Sequence, residues 1–417
     1  MMKKCIGRVL FIFTLCLLVQ SCGFFDRDDE LGQEDYNDSE MSFELEVPEE
    51  ENLLEENFND GIVENLDEEV VEDTGDIEDI NDNLEQETYE TTDDHVFELP
   101  INGATGFAPV FMPVRVDGHM NSEVIFNLYP GDGFTIIQEA GEWWNIEVEG
   151  VTGWVEHAYC FINLPDVIPS IVYKNTNTFS SVFRSSGIEI PNITGHSLYQ
   201  GFSFNERLSR DEFIMPALYA TAKKIARAQE LALIEGNTLV IYETFRPVSV
   251  QIQVGQNLQH LSATNEIVYR GLNQAPWSMG WFIASGLSSH QWGSAVDLSL
   301  ANVNAREEES VGNYSIIRVV DYTEYIMPTP IHELSYRAAV FATPVSPSDR
   351  YAWQNVGLAS TMNIPAVILQ RYLTQAGFTP LASEWWHFED LDATERVRGN
   401  TSQGDFVLSR VYSRVPE

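Results

Sequence analysis

Ser288-Ser289-His290-Gln291-Trp292-Gly293-Ser294-Ala295-Val296-Asp297 and, further on, Glu384-Trp385-Trp386-His387 are the stretches on which the reading of this chain turns. Together they hold two imidazoles and two carboxylates. Zinc takes nitrogen and oxygen ligands of this kind, and a catalytic zinc keeps three protein ligands and one open position. A fourth acidic group can then stay off the metal and handle protons. Spacing alone does not fix the geometry. Along a straight strand, seven residues separate His290 and Asp297 onto opposite faces. They meet only if the chain turns between them, and Gly293 permits a turn. Glu384 and His387 likewise face apart on a straight strand, so a bend is required there too. Taken by themselves, these residues support a metal site and go no further.

Working outward, the sequence around these stretches mixes helices and strands without a regular βαβ alternation, which predicts an α+β domain over residues 167–417. Phe213 to Glu235 carries apolar residues at helical spacing (Ile214, Leu218, Ile225, Ala228, Leu231) and ends at Gly236-Asn237. Thr238–Tyr242 reads as a strand running into Phe245-Arg246-Pro247. Ala295–Leu300 reads as another strand, Ile364–Ala376 as an amphipathic helix stopped by Gly377, and Trp385–Phe388 as β-prone.

Three ordered elements extend the reading. Ser288-x-His290-x-x-Gly293-x-Ala295-x-Asp297, then Glu384-x-Trp386-His387, preceded by Phe245-Arg246-Pro247 with Gln251 after it, resemble the signature of the zinc D-alanyl-D-alanine peptidases. That family includes the vancomycin-resistance carboxypeptidases and dipeptidases. The resemblance spans most of residues 167–400. It implies one zinc ion (Zn2+) per chain, held by His290, Asp297 and His387. It implies Glu384 as general base and acid, and Arg246 as the group that steadies the substrate carbonyl and its developing negative charge. Ser288 and Trp386 would support or pack. His332 and Glu333, in a segment that dipeptidase relatives place near their active site, are candidates to line it. His119, His157, His196 and His260 read as ordinary core or surface histidines.

The rest of the chain sets the context. Of its 64 acidic residues, 31 lie between Asp26 and His95 beside one basic residue, Arg27, so most of the net charge of −41 belongs to one segment. Residues 23–95 therefore read as a disordered acidic tether, too poor in apolar residues to bury a core. No basic face is evident, which argues against nucleic acid as a partner. Residues 1–22 read as a signal: Lys3, Lys4 and Arg8 precede an apolar run too short to span a bilayer, which ends at Leu18-Val19-Gln20-Ser21-Cys22. That ending resembles a bacterial lipoprotein cleavage box. It implies an extracytoplasmic protein anchored to the cell membrane by a lipid on Cys22 and facing the cell wall. Cys160 is then the one cysteine left for the folded region, so no disulfide is expected there, and its apolar neighbours suggest a small buried side chain.

Residues 96–166 hold short β-prone runs at Val114–Val116, Val124–Leu128, Phe134–Ile137, Trp143–Val148 and Gly153–Val155, punctuated by turns such as Glu149-Gly150. Their order resembles bacterial SH3-like domains, and implies a small all-β barrel with a wall ligand. Trp143, Trp144 and Trp154 could face that ligand, although core is the commoner fate of such residues. The favoured function is removal of terminal D-Ala from peptidoglycan stem peptides by a D,D-carboxypeptidase. Next stands a dipeptidase acting on free D-Ala-D-Ala, and then a non-catalytic wall-binding lipoprotein.

Overall fold

The computed structural model describes residues 97–400 and 403–417. The signal, its Cys22 and the acidic tether lie outside the described residues. Among the described residues no helix is long and apolar enough to cross a membrane.

The chain opens with seven strands: β1 (Thr105–Phe107), β2 (Met112–Arg115), β3 (Val124–Leu128), β4 (Gly133–Ala140), β5 (Trp143–Val148), β6 (Val151–Glu156) and β7 (Phe161–Asn163). Glu149 and Gly150 join β5 to β6 with φ of +49° and +82°, the left-handed pair that a tight hairpin matched to strand twist requires. Of the strands that follow, β8 (Val172–Tyr173) and β9 (Pro216–Leu218) belong to the two large sheets, and two short hairpins lie between them. Strand β9 returns to the first sheet and pairs with β7, Leu218 opposite Phe161. The sheet is antiparallel, in the order β9-β7-β1-β4-β5-β6-β2-β3. That order is open, with β9 and β3 at its edges, where the sequence leads one to expect a closed SH3-like barrel. The sequence also places a boundary after residue 166, yet β9 crosses it, and the described residues fall in one compact unit.

The second sheet carries the chemistry. Its members are β8, β10 (Asn237–Glu243), β11 (Ala295–Val311), β12 (Tyr314–Glu324), β13 (Thr379–Pro380) and β14 (His387–Glu389). The order is β13-β14-β11-β10-β8, with β12 also on β11. Only the β8–β10 pairing is parallel. The helices of this half include α1 (Tyr219–Ile234), α2 (Val248–Thr264), α3 (Ile364–Gln375) and α4 (Leu391–Val397), of which α1 packs on β10 and α3 on β11 and β13. One buried apolar cluster runs from Val114 and Trp144 in the first sheet, through Ile225 of α1, to Leu239, Leu300 and Leu369. Trp144 is fully buried, with its ring edge-on to Tyr219 at 4.7 Å. Its role is core. Cys160 is buried too, its sulfur 3.9 Å from that of Met112.

Three elements differ from expectation. The helix expected from Phe213 begins at Tyr219, because Pro216–Leu218 is drawn into the first sheet and Phe213 into a hairpin with Phe202. Helix α2 goes unread, although Val250, Val254, Leu258 and Leu261 mark its buried face. Strand β11 runs on to Val311 and folds back at Gly312-Asn313, so the strand expected over Ala295–Leu300 is the base of a long hairpin.

Glu98 sits where the two sheets meet and accepts hydrogen bonds from the Ser170 backbone N–H, at 3.0 Å, and from its hydroxyl. Burial pushes its carboxyl up from 4.5 to about 7. The folded chain therefore holds a proton that the unfolded chain has lost, and this contribution is full below pH 4.5 and fades as pH rises through about 7. Glu98→Gln should gain on the wild type by about 1–3 kcal/mol between pH 5 and pH 8, read by thermal unfolding at the two pH values.

Candidate active site

Asp297 is the third residue of β11, and the strand register decides its neighbours. It pairs with His387 of β14 on one side and with Glu243 of β10 on the other. Residues opposite one another across a sheet share a face. Three strands thus bring Glu243, Asp297 and His387 together from sequence positions far apart. A register shift between Ile241 and Glu243 bends the end of β10, the device by which sheets re-aim a side chain. The chain then passes through Thr244 and Phe245 to Arg246, and Pro247 caps the start of α2.

His290 reaches this face by the turn that the sequence demanded. Ser289–Trp292 form a single 3-10 turn closed by Gly293 at φ +68°. A Cβ on Gly293 would lie 2.5 Å from the buried ring of Phe161, so the position needs glycine for conformation and for space alike. Gln291 locks the turn: its Oε1 accepts from the Ser288 N–H at 2.6 Å, and its Nε2 donates to the Arg246 carbonyl at 3.0 Å. The bend expected before His387 is also present. Glu384 lies in a turn whose carbonyl accepts from the His387 N–H at 3.2 Å, and β14 starts only at His387.

The resulting geometry is tight. His387 Nδ1 is 2.9 Å from Asp297 Oδ1, His290 Nε2 is 3.3 Å from Asp297 Oδ2, and the two imidazole nitrogens are 3.2 Å apart. Ligands about 2.0–2.2 Å from a tetrahedral zinc lie about 3.3 Å from one another, so these separations fit that ion. The tautomers fit as well. His290 Nδ1 is 2.6 Å from the Thr244 carbonyl, which can only accept, so Nδ1 carries the proton and Nε2 offers a lone pair. His387 Nε2 faces Glu389 Oε1 at 3.3 Å, leaving Nδ1 toward Asp297. Ser289 donates to the same Glu389 oxygen at 2.6 Å. Outer partners of this kind fix ligand orientation.

Arg246 is sunk beside the three. Its Nε donates to Glu243 at 2.7 Å, Nη1 to Gln251 at 2.7 Å and Nη2 to Asp297 at 3.0 Å. Guanidinium has five N–H donors, so capacity remains for a ligand. Glu243, Asp297 and His332 form a second close group of potential metal ligands. The Arg246 cation already bonds both of its carboxylates, so the charge a metal would supply is in place.

His332 stands inside the site. It is fully buried, at φ +60°, stacked on Phe183 at 4.2 Å, with Nε2 3.2 Å from Asp297 Oδ2. Its Nδ1 has no hydrogen-bond partner among the described residues. Glu333 points elsewhere and accepts from the Ser186 and Gly187 N–H groups of a neighbouring turn. Trp386 is buried against His332, and Ser288 shapes the His290 turn.

Electrostatics follow from burial. Desolvation pushes the Glu384 carboxyl up to about 8. Burial pushes Asp297 up as well, but His290, and the hydrogen bonds with His332 and His387, hold it well below the usual carboxylate range. Burial lowers His290. For His387 burial acts downward too, yet Asp297 and Glu389 outweigh it and raise the imidazole to about 10. Glu243 and Glu389 escaped the sequence reading. The signal for Glu389 was its place two residues after His387 on one strand, hence on one face.

A family model described as D-ala-D-ala dipeptidase matches residues 217–405. The D-alanyl-D-alanine dipeptidase of Escherichia coli (strain K12) is 27% identical over 198 residues, covering 48% of this chain and 72% of that protein. Both comparisons support a peptidase. The matched region takes in Arg246, His290, Asp297, His332, Glu384 and His387, and leaves out strands β1–β8 and the last twelve residues.

Gly293→Ala should destabilise the chain by about 1–3 kcal/mol, since it forces a left-handed residue against Phe161. Denaturant unfolding at fixed pH reads the loss.

Proposed function

We propose that the chain is a zinc-dependent peptidase that cleaves D-Ala-D-Ala, acting as a dipeptidase on the free dipeptide. The observation that carries this choice is the burial of the site's own side chains. None of the side chains of Arg246, His290, Asp297, Glu384 and His387 exposes more than 9% of its surface. A small dipeptide suits so enclosed a centre better than the end of a wall-linked stem peptide does. The names of the matched family and relative lean the same way.

In this reading His290, Asp297 and His387 hold the zinc. Bound there, zinc supplies a Lewis-acid charge that polarises a carbonyl and acidifies water toward a pKa of about 7. Glu384 Oε2 lies 4.0 Å from His387 Nδ1, beside the metal position. In its carboxylate form Glu384 can take a proton from attacking water, and burial, which raises its carboxyl to about 8, favours the protonated form that returns that proton to the leaving amine. Arg246, fixed by three side-chain partners, holds a positive charge where oxygen gains negative charge. Because that charge is already placed, little reorganisation is needed. Glu389, through His387, and the Thr244 carbonyl, through His290, keep the ligands in their metal-binding tautomers.

The stem-peptide reading rests on the N-terminal sheet, which we read as an SH3-like wall-binding module, and on extracytoplasmic anchorage through a lipid on Cys22. Zinc-loaded chain should release D-Ala from the free dipeptide and leave pentapeptide-ending muropeptides intact, followed by mass spectrometry. Loss of one D-Ala from the muropeptide with the dipeptide untouched would move the chain to the carboxypeptidase reading. Chelation should abolish turnover and added zinc restore it. Glu384→Gln should keep its zinc and lose about 10²–10⁴-fold in kcat. Wild-type turnover in that variant would refute the mechanism, and a wild type silent on both substrates would leave a non-catalytic wall-binding protein.

A further inference from the structure

Residues 403–417 form neither helix nor strand, and beyond residue 405 they lie outside the family match, as does the N-terminal sheet up to β7. They nevertheless touch both that sheet and the site. Two of their contacts fall on the segment that carries Arg246. The Gly404 carbonyl accepts from the Val248 N–H at 3.0 Å. The Phe406 ring stacks on Phe245, centroids 4.6 Å apart and planes within 12°. Gly404 is buried at φ +65°, and a Cβ there would lie 2.7 Å from the side chain of Gln291, the residue bonded to the Arg246 carbonyl.

The other end of this stretch is fastened to the N-terminal sheet. The Tyr412 N–H donates to Thr105 Oγ1 at 2.8 Å, Thr135 Oγ1 donates to the Tyr412 carbonyl at 2.6 Å, and the Arg414 N–H donates to the Gly103 carbonyl at 2.7 Å. Between the two ends, Leu408 is buried in a small apolar cluster with Phe107 of β1, Phe161 of β7 and Phe245. One cluster therefore joins the sheet, the strap and the residue immediately before Arg246.

We propose that residues 404–414 are a strap through which the N-terminal sheet sets the position of Arg246, with Phe406 the positioning residue. Glu243, Gln251 and Asp297 hold the tip of Arg246, and its own backbone groups bond to the His290 carbonyl and the Gln291 side chain. Phe406 and Gly404 hold the chain on either side of it, at Phe245 and Val248. Displacing a charge-stabilising group by an ångström is enough to slow a reaction without loosening the substrate. The kinetic part of the proposal rests on the peptidase reading, and the backbone part does not.

The test uses the full chain with Phe406→Ala, and Phe406→Tyr as the conservative replacement. Hydrogen–deuterium exchange on the metal-free protein should show the 245–251 segment exchanging about tenfold faster in Phe406→Ala, with β11 unchanged. On D-Ala-D-Ala, zinc-loaded Phe406→Ala should lose about tenfold in kcat, with KM within about twofold and zinc content unchanged. Phe406→Tyr should restore both readouts. Unaltered exchange at 245–251 would overturn the strap, whatever the activity. So would a loss confined to KM or to zinc content, or faster exchange spread evenly through the chain. A wild type without peptidase turnover would sink the proposed function alone, and the exchange result would then decide the strap.

Discussion

The buried carboxylate of Asp297 is the constraint on which the rest of this structure depends. Removing a charge from water costs several kcal/mol unless it is paired and hydrogen-bonded. Asp297 meets that cost with His290, His332, His387 and the Arg246 guanidinium, all within about 3.3 Å. No single element could deliver four such partners. The register places His387, the bend at the end of β10 allows Arg246 to reach across, Gly293 turns His290 inward, and a left-handed backbone at His332 points a fourth group at the same carboxylate. Each local irregularity is thus explained by one buried charge. The same arrangement leaves two imidazole nitrogens and one carboxylate converging at zinc-like separations.

The second consequence is division of labour. Carboxylates flank the ligands at the back: Glu243 behind Arg246, Glu389 behind His387. Glu243 is itself held by Asn177 at 2.8 Å and Tyr199 at 3.2 Å. Glu389 is held by Ser289. These two acids are paired and spoken for, whereas Glu384 has no comparable hydrogen-bond set among the described residues and is dominated by desolvation. Among the four carboxylates of the site, Glu243, Asp297, Glu384 and Glu389, the one left to exchange a proton near neutral pH is the one standing beside the candidate metal ligands.

Much of this was legible in the sequence because the ligands come in short runs with a glycine where the chain must turn. His290, Gly293 and Asp297 sit within eight residues, and the turn that their spacing required is the turn observed. The long-range partners were not legible. Glu243 belongs to the site because β10 pairs with β11 in one register, and register is a property of the sheet, not of the run Leu239–Glu243. Helix α2 was obscured by its Gln- and Ser-rich exposed face, which blurs the apolar period. The β11–β12 hairpin was obscured by Glu307–Glu309, a run of like charge that reads as loop, whereas in the folded chain Glu307 and Glu309 pair with Arg318 across the ribbon and Glu309 also with Arg210.

The C-terminal stretch was the least legible, for a general reason. It has no period of two or of 3.6, since it forms no ladder and no helix. Its order comes from others: glycines at 131 and 133 leave room for Phe406 and Tyr412, and a Cβ on Gly133 would lie 2.1 Å from the Tyr412 ring. In a sheet those glycines read as turn punctuation. In the folded chain they are the floor of a channel along which residues 404–414 lie. A module attached only by a flexible linker would leave the catalytic fold indifferent to it. Here the sheet borrows a strand, β9, from the catalytic half and receives the chain's end in return, and both exchanges converge on Phe161 and Phe245. The mechanical path from the N-terminal sheet to Arg246 is therefore two side chains long.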